Sequence, residues 1–346
     1  MLHYENNRAY LLNFSYIPLI SFTNSSNDFD ITMYLLKKLK NIFDSKKQLL
    51  FYRDFQGFTG GHLKVWDYFN HTLQSKQYYP QVHFSPTTIW ENNPWLNHTQ
   101  INKTWQLEQA NCLFLAGLDW NVLTQIPDVP IINFIQHIRH SVPTDPRYIF
   151  LRNKAIRICV SEEVTEALRA SQRINGPIFT NPNGINIQAL PLVKHRYNLL
   201  IAGLKQPNLA INLQKHLNIE NVKVLTSPLA RKDFLNIVNQ AKITVFLPSS
   251  YDEGFFLPAL EGMVLNTMVI CPDCVGNRSF CKHDVNCLMP EYNITGILAM
   301  INIALSMSES KRKIMLDNAK QTTKQYTLIQ EQQNFLNILD NVTNIW

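Results

Sequence analysis

Charge is in short supply in this chain: only 17% of its 346 residues are Asp, Glu, Lys or Arg, against 45% apolar residues. That balance excludes a disordered chain, which needs high charge and little apolar content to stay unfolded. Long basic runs are missing as well. The net charge of +6 and the pI near 8.9 are spread over the whole length, compatible with an anionic partner and equally with an ordinary solvated surface. Long hydrophobic runs are absent: Ala9 to Phe22, the longest near the front, is broken by Asn13, Ser15, Pro18 and Ser21 and cannot span a bilayer. Met1 to Arg8 is polar and has no basic segment leading into an apolar core, so a cytoplasmic location is expected. Glycine does not occur in the first 45 residues, and neither does a strand–helix rhythm. The Asn-x-Ser/Thr triplets at Asn24, Asn70, Asn97, Asn102 and Asn293 are what an Asn-rich chain yields by chance.

What is there begins with size. A chain of 346 residues can bury two cores, one per domain of ordinary size. Tyr34 to Phe43 has helical spacing of apolar residues with lysines between them. From Lys47 strands and helices alternate. Strands are expected at Gln48–Tyr52, Gln81–Phe84, Asn111–Ala116, Ile131–Ile135 and Ala155–Val160. Gly57 to His62 reads as a glycine-rich loop, Leu63–Leu73 as a helix, and Glu162–Ser171 as a helix capped by Ser161. Asn181-Pro182-Asn183-Gly184 is turn chemistry, and Leu190 to Tyr197 reads as a linker. The alternation then restarts, with strands at Asn198–Ala202, Val222–Leu225, Ile243–Leu247 and Met268–Cys271. Helices are expected at Leu209–Leu217, Arg231–Gln240, Leu257–Leu265, Ile294–Ser306, Glu309–Thr323 and Leu328–Leu339. Two doubly wound α/β domains follow from this pattern.

Cysteine gives two readings. Cys112 and Cys159 lie in apolar strands and read as packed thiols. Cys271, Cys274, Cys281 and Cys287 have a Cys-x-x-Cys start that suits zinc, but no second tight pair, and Cys271 ends a strand; buried or loop thiols are the favoured reading.

The chemistry concentrates in Asp252-Glu253-Gly254-Phe255-Phe256-Leu257-Pro258-Ala259-Leu260-Glu261. A buried strand precedes it and a helix with Pro258 in its first turn follows, so Glu253 lies in a strand-to-helix loop at the ligand-binding edge of an open sheet. Free amides around Gly254 to Leu257 make a helix N-terminus suited to an anion. Phosphate joined to a hydroxyl-rich sugar matches this geometry, a carboxylate being a two-oxygen acceptor for a vicinal diol. A solvent-facing loop carboxylate and a helix-surface Glu are the bland alternative.

These residues resemble the Glu-x7-Glu signature of retaining glycosyltransferases of family four. Three further segments are similar to that family: Arg157-Ile158-Cys159-Val160-Ser161-Glu162-Glu163-Val164, Asn181-Pro182-Asn183-Gly184-Ile185-Asn186, and Gly60-Gly61-His62 after the first strand. The resemblance spans Gln48 to the C-terminus and implies the GT-B fold: two Rossmann-like doubly wound domains facing a central cleft, with a C-terminal helix packing back on the first. The boundaries expected are 1–45 for an N-terminal extension, 46–190 for the acceptor-side domain, 191–325 for the nucleotide-sugar domain and 326–346 for the returning helix. By resemblance, Glu261 would bind the ribose hydroxyls and Glu253 the donor sugar, while Gly254, Phe255, Phe256 and Leu257 would present amides to sugar and diphosphate.

The family's basic pair after the first strand of the second domain is represented by Lys205 alone, and whether Arg231 or Arg278 supplies the second charge is left open. His137 stands at the place of the family's first-domain histidine, as a catalytic candidate, with His140 next to it; Gly60, Gly61, His62 and His140 form the acceptor side. Each of these histidines reads equally as a satisfied polar residue near a strand end. Asn266 stands where the family has glycine, and Asn tolerates the left-handed conformation required there.

The activity implied is transfer of a sugar from a nucleoside diphosphate sugar to an acceptor hydroxyl on a glycan or lipid-linked polysaccharide precursor, with retention, no metal and no other cofactor. Peripheral contact with the inner membrane surface is expected and nucleic acid is not. The alternatives are a catalytically idle nucleotide-sugar-binding protein that kept the fold and, less favoured, a DNA-base glycosyltransferase.

Overall fold

A computed structural model describes residues 46–57, 59–186 and 193–346. The helix expected over Tyr34–Phe43, the 1–45 extension and part of the expected linker lie outside those residues.

Among the described residues ten strands form two all-parallel sheets within the unit Lys47–Trp346. The first holds β1 (Lys47–Arg53), β2 (Tyr78–Phe84), β3 (Cys112–Ala116), β4 (Ile131–Ile135), β5 (Ile156–Cys159) and β6 (Ile178–Thr180), in the order β2-β1-β3-β4-β5-β6. The second holds β7 (Tyr197–Ala202), β8 (Val222–Leu225), β9 (Ala241–Phe246) and β10 (Met268–Ile270), in the order β10-β9-β7-β8. Strands buried on both faces read as continuous apolar runs, as Cys112–Ala116 and Ile131–Ile135 do; every residue of each is buried. β6 went unrecognised in the sequence because three half-buried residues beside turn chemistry show no period.

The helices are α1 (Gly60–Leu73), α2 (Glu162–Ala170), α3 (Pro207–Lys215), α4 (Arg231–Asn239), α5 (Leu257–Val264), α6 (Ile294–Ser306), α7 (Glu309–Thr323) and α8 (Leu328–Asp340), followed by a short turn at Val342–Ile345. None of the helices among the described residues is long and apolar enough to cross a membrane. Ser161, Asn293, Ser308 and Thr327 each accept a hydrogen bond at the N-terminus of the helix that follows, which places four of these boundaries where capping chemistry dictates. Asn266 adopts φ +60°, the left-handed turn expected of it between α5 and β10.

One boundary corrects the sequence reading. Gly60, Gly61 and His62 are not loop residues; they form the first turn of α1, with the Thr59 hydroxyl accepting from the His62 N–H at 3.4 Å. Two successive glycines argue against a helix on propensity alone, and the cap outweighs that cost at the first turn.

α8 packs against α1, so the end of the chain returns to the helix that follows β1. Lys64 of α1 is fully buried, its Nζ 2.5 Å from Glu331 Oε2 and 2.7 Å from Asp67 Oδ2, with Gly184 O at 3.0 Å. Glu331 Oε2 also accepts from Gly184 N at 2.9 Å. Helix α1, the Asn181–Gly184 turn and helix α8 therefore share one buried ionic knot.

Candidate functional site

In the second sheet β7 and β9 are neighbours, while the strands that follow each of them lie on opposite sides. The chain leaves their carboxyl ends in opposite directions, the switch point at which open α/β sheets bind ligands. Lys205 follows β7 by three residues and Ser249 follows β9 by three, and both converge on Glu253. Lys205 Nζ lies 2.6 Å from Glu253 Oε1, which also accepts from Ser249 Oγ at 2.6 Å and Ser249 N at 3.2 Å. Burial pushes the Glu253 carboxyl up, but Lys205 and the Ser249 donors outweigh it and hold the group below the usual range. Glu253 is thus a fixed carboxylate.

Glu261, on α5, is only 2% exposed. Arg231, the first residue of α4, brings Nη1 to 2.5 Å from Glu261 Oε1, yet no N–H is aligned with that oxygen, which is left without a hydrogen bond. A buried carboxylate oxygen in this state is costly unless another donor reaches it. Of the two arginines left open by the sequence, Arg231 stands at the site; Arg278 pairs with Asp273 on the surface at 2.6 Å. α5 begins without a side-chain cap. The Phe256 N–H donates to Gly276 O at 2.9 Å and the Leu257 N–H to Phe255 O at 3.2 Å, so two of the four amides expected to face a ligand are engaged within the loop.

The same loop is seated on the half of the molecule built on the first sheet. A Cβ on Gly254 would overlap the carbonyl oxygen of Gln136 and fall 2.8 Å from His137 Cα, so only glycine fits. Ser161 Oγ donates to Gly254 O at 3.0 Å while accepting from Val164 N. A Cβ at Gly60 would lie 3.6 Å from Leu257 Cδ1, and Gln136 Nε2 donates to Gly61 O at 3.2 Å. Gly60, Gly61, His137, Gly254 and Leu257, far apart in sequence, are therefore brought together with Glu253 and Lys205 beside them. His137 Nδ1 accepts from Arg139 N at 3.1 Å. Burial and Arg139 lower its pKa against the pull of Asp252 and Glu253.

The first sheet has its own switch point, between β1 and β3. There the structure opens a crevice of about 590 Å³ lined by, among others, Arg53, Asp54, His62, Asp119, Gln136 and Arg147. His62 lines it. His140 does not: it is 5% exposed and packed inside, and burial, reinforced by Arg147, pushes its pKa down to about 3. His140, expected on the acceptor side, lies buried on the 3₁₀ turn Ile138–Ser141.

Arg53, Asp119, Gln136, Ser161 and Ser249 were missed as site residues. Arg53 had a signal, being a cation that closes an otherwise apolar strand. The others are common residues whose places depend on long-range packing. Cys271, Cys274, Cys281 and Cys287 are buried free thiols, with burial holding Cys271 and Cys281 well above their ordinary pKa. Among the described residues no three potential ligands gather into a metal-binding group.

The family model "Glycosyl transferases group 1" matches residues 185–322. That span holds β7 to β10 and the whole Glu253–Glu261 segment. No curated protein matches the chain. Among solved structures, Anabaena HepE in complex with UDP-glucose superposes with a TM-score of 0.68 at 13% identity, covering 85% of this chain and 99% of that one. Sucrose-phosphate synthase from Thermosynechococcus elongatus follows with a TM-score of 0.64 at 11% identity, covering 86% and 100%. A glycosyltransferase from Rickettsia africae gives a TM-score of 0.63 at 11% identity, covering 86% and 99%. The fold is GT-B. From here the two halves are called the first and second lobes of that fold.

Proposed function

We propose that the protein is a glycosyltransferase that moves a sugar from a nucleoside diphosphate sugar to an acceptor hydroxyl, with retention and without a metal. The observation that carries the reading is Glu261: a carboxylate only 2% exposed on the helix after the switch-point loop of the second sheet, ion-paired through Oε1 to Arg231 at 2.5 Å but with no N–H aligned on that oxygen. A ribose diol supplies the hydroxyl donors such an oxygen lacks. UDP-glucose, bound by HepE, is the first donor to test.

In this reading residues 191–325 form the donor lobe, residues 46–190 the acceptor lobe and residues 326–346 the returning helix. Lys205 and Arg231 supply positive charge on two sides of the donor site, and the uncapped start of α5 adds its dipole. A departing diphosphate gathers negative charge as the glycosyl bond breaks, and these groups are placed to stabilise it. Lys205 must relax its hold on Glu253 as phosphate arrives, which turns the carboxylate from a salt-bridge partner into a ligand for donor hydroxyls. His137, held against Gly254, stands where the two lobes meet and can hydrogen-bond donor or acceptor.

The idle-protein reading rests on the absence of a second basic residue close to Lys205 in sequence; Arg231, ion-paired to Glu261, is the candidate for that charge in the reading proposed here. Steady-state kinetics test the assignment. Glu261→Ala raises donor KM by about 10–100-fold, the equivalent of ~1.4–2.7 kcal/mol. Glu253→Ala lowers kcat with a smaller change in KM. Wild-type transfer by both variants contradicts the site, and an inverted anomer in the product contradicts retention.

A further inference from the structure

We propose, resting on the acceptor-lobe reading above, that the first-sheet crevice receives an uncharged polyhydroxylated acceptor, and that a buried Asp119–Arg53–His62 chain holds His62 as a neutral Nε2–H donor toward it. Arg53 Nη1 lies 2.6 Å from Asp119 Oδ2, which also accepts from Ala116 N at 3.0 Å. Arg53 Nη2 lies 2.6 Å from His62 Nδ1. A guanidinium carries donors only, so His62 Nδ1 must accept. A proton there would set N–H against N–H, so the ring is neutral and its hydrogen sits on Nε2. Burial and the neighbouring Arg53 push the ring in the same direction, to a pKa of about 4, against the opposing charge of Asp54. Asp119 and Arg53 are positioning residues in this chain; His62 is the group that faces the ligand.

The charge inventory selects the class of acceptor. The cations lining the crevice are Arg53 and Arg147. Each already has a carboxylate: Asp119 at 2.6 Å and Asp145 at 3.0 Å. Asp54 adds a further negative charge, held in place by Ser85 Oγ, Thr87 Oγ1 and Gln56 Nε2 at 2.5, 3.0 and 2.7 Å. Among the described residues two guanidiniums thus face three carboxylates, and an incoming phosphate or carboxylate finds no unpaired cation there. Sugar hydroxyls, which both donate and accept, match the Asp54 oxygens and the His62 N–H, and the volume is that of a small-molecule site.

Two measurements on the full chain test this. Two-bond ¹H–¹⁵N spectra at pH 7, with the His62 signals assigned by their loss in His62→Gln, are expected to show an unprotonated Nδ1 and a protonated Nε2. Asp119→Asn or Arg53→Lys then shifts the ring toward mixed tautomers or protonation near pH 6.5. An Nδ1–H ring or an imidazolium in the wild type overturns the proposal. With UDP present, neutral methyl hexopyranosides are compared with hexuronic acids and hexose 6-phosphates by calorimetry. Neutral sugars are expected to bind more tightly, to lose about tenfold in His62→Ala, roughly one charge-free hydrogen bond, and to recover in His62→Gln, which keeps a donor. Tighter binding of the acidic sugars, no binding by any neutral sugar, or equal losses in the Ala and Gln variants overturns it. Donor binding is read separately with UDP-glucose and Glu261→Ala, so a failed donor site and a failed acceptor class give different outcomes.

Discussion

Glu253 and Glu261 stand eight residues apart and meet opposite circumstances. The first is saturated at one oxygen by Lys205 and Ser249; the second is buried with an oxygen that no N–H satisfies. Between them Gly254 has no room for a methyl group, because its Cα faces the backbone of Gln136 and His137. Gly254→Ala must therefore shift the loop off the first lobe. Its expected effect is a loss of at least about 100-fold in kcat/KM, since a 1 Å misplacement costs that much, with a smaller change in thermal stability. Equal activity of Gly254→Ala contradicts the seating described here. At this scale the glutamates and Gly254 were legible in the sequence because they lie in one contiguous motif, and Lys205 because it follows the first strand of the second domain, 48 positions from Glu253. Arg231 was legible only as one of two alternatives, and Ser161 as a helix cap but not as the donor to Gly254 O, since that bond joins residues 93 positions apart.

At the scale of elements, the returning helix α8 is fastened by charge. Lys64 and Glu331 are both buried, and burial works against the charged form of each; their mutual attraction, with help from Asp67 on one side and His71 on the other, raises the Lys64 pKa and lowers that of Glu331. Removing Glu331 leaves the buried Lys64 with Asp67 as its remaining carboxylate, so Glu331→Ala is expected to cost about 3 kcal/mol in urea unfolding, the lower end for breaking a buried pair. Lys64→Met combined with Glu331→Leu is expected to lose less than the sum of the single changes, the signature of a direct pair. Additive losses contradict the pairing. Strand and helix positions here were readable from apolar periodicity, and most ends fell within a residue or two. The first turn of α1 was not, because Gly60-Gly61 speaks for a loop while a Thr59 hydroxyl, invisible to periodicity, decides for a helix. The partners of Lys64 were hidden too, as nothing in a helix-surface Lys signals a carboxylate 267 residues away.

For the whole molecule, two parallel sheets each present a switch point, and the Gly254 loop joins them. The alternation of strands and helices on both sides of the Asn181–Gly184 turn made that architecture readable; the charge balance of the first crevice was not, because it depends on which arginines find carboxylates after folding. Titration follows from the same burial. His62, at about 4, and His140, at about 3, stay neutral in the folded chain below the ordinary histidine pKa of 6.5. The unfolded chain therefore binds protons first, and stability falls as pH drops from 6.5 toward 4. Asp119, pushed up to about 6 by burial despite Arg53, acts in the other sense, keeping its proton longer when folded, but it is one group against two. The urea midpoint at pH 5 is expected below that at pH 7, and His140→Gln is expected to narrow the gap; an unchanged gap contradicts the histidine origin.

The most direct test of the central claim is the thermal shift of the intact protein with UDP-glucose and a panel of other nucleoside diphosphate sugars, repeated in Glu261→Ala. A donor at about 100 times its Kd stabilises the native state by about 2.7 kcal/mol and raises Tm. The account predicts that at least one donor does so in the wild type and that the shift largely disappears in Glu261→Ala. No shift with any nucleotide sugar, or an equal shift in the variant, contradicts it.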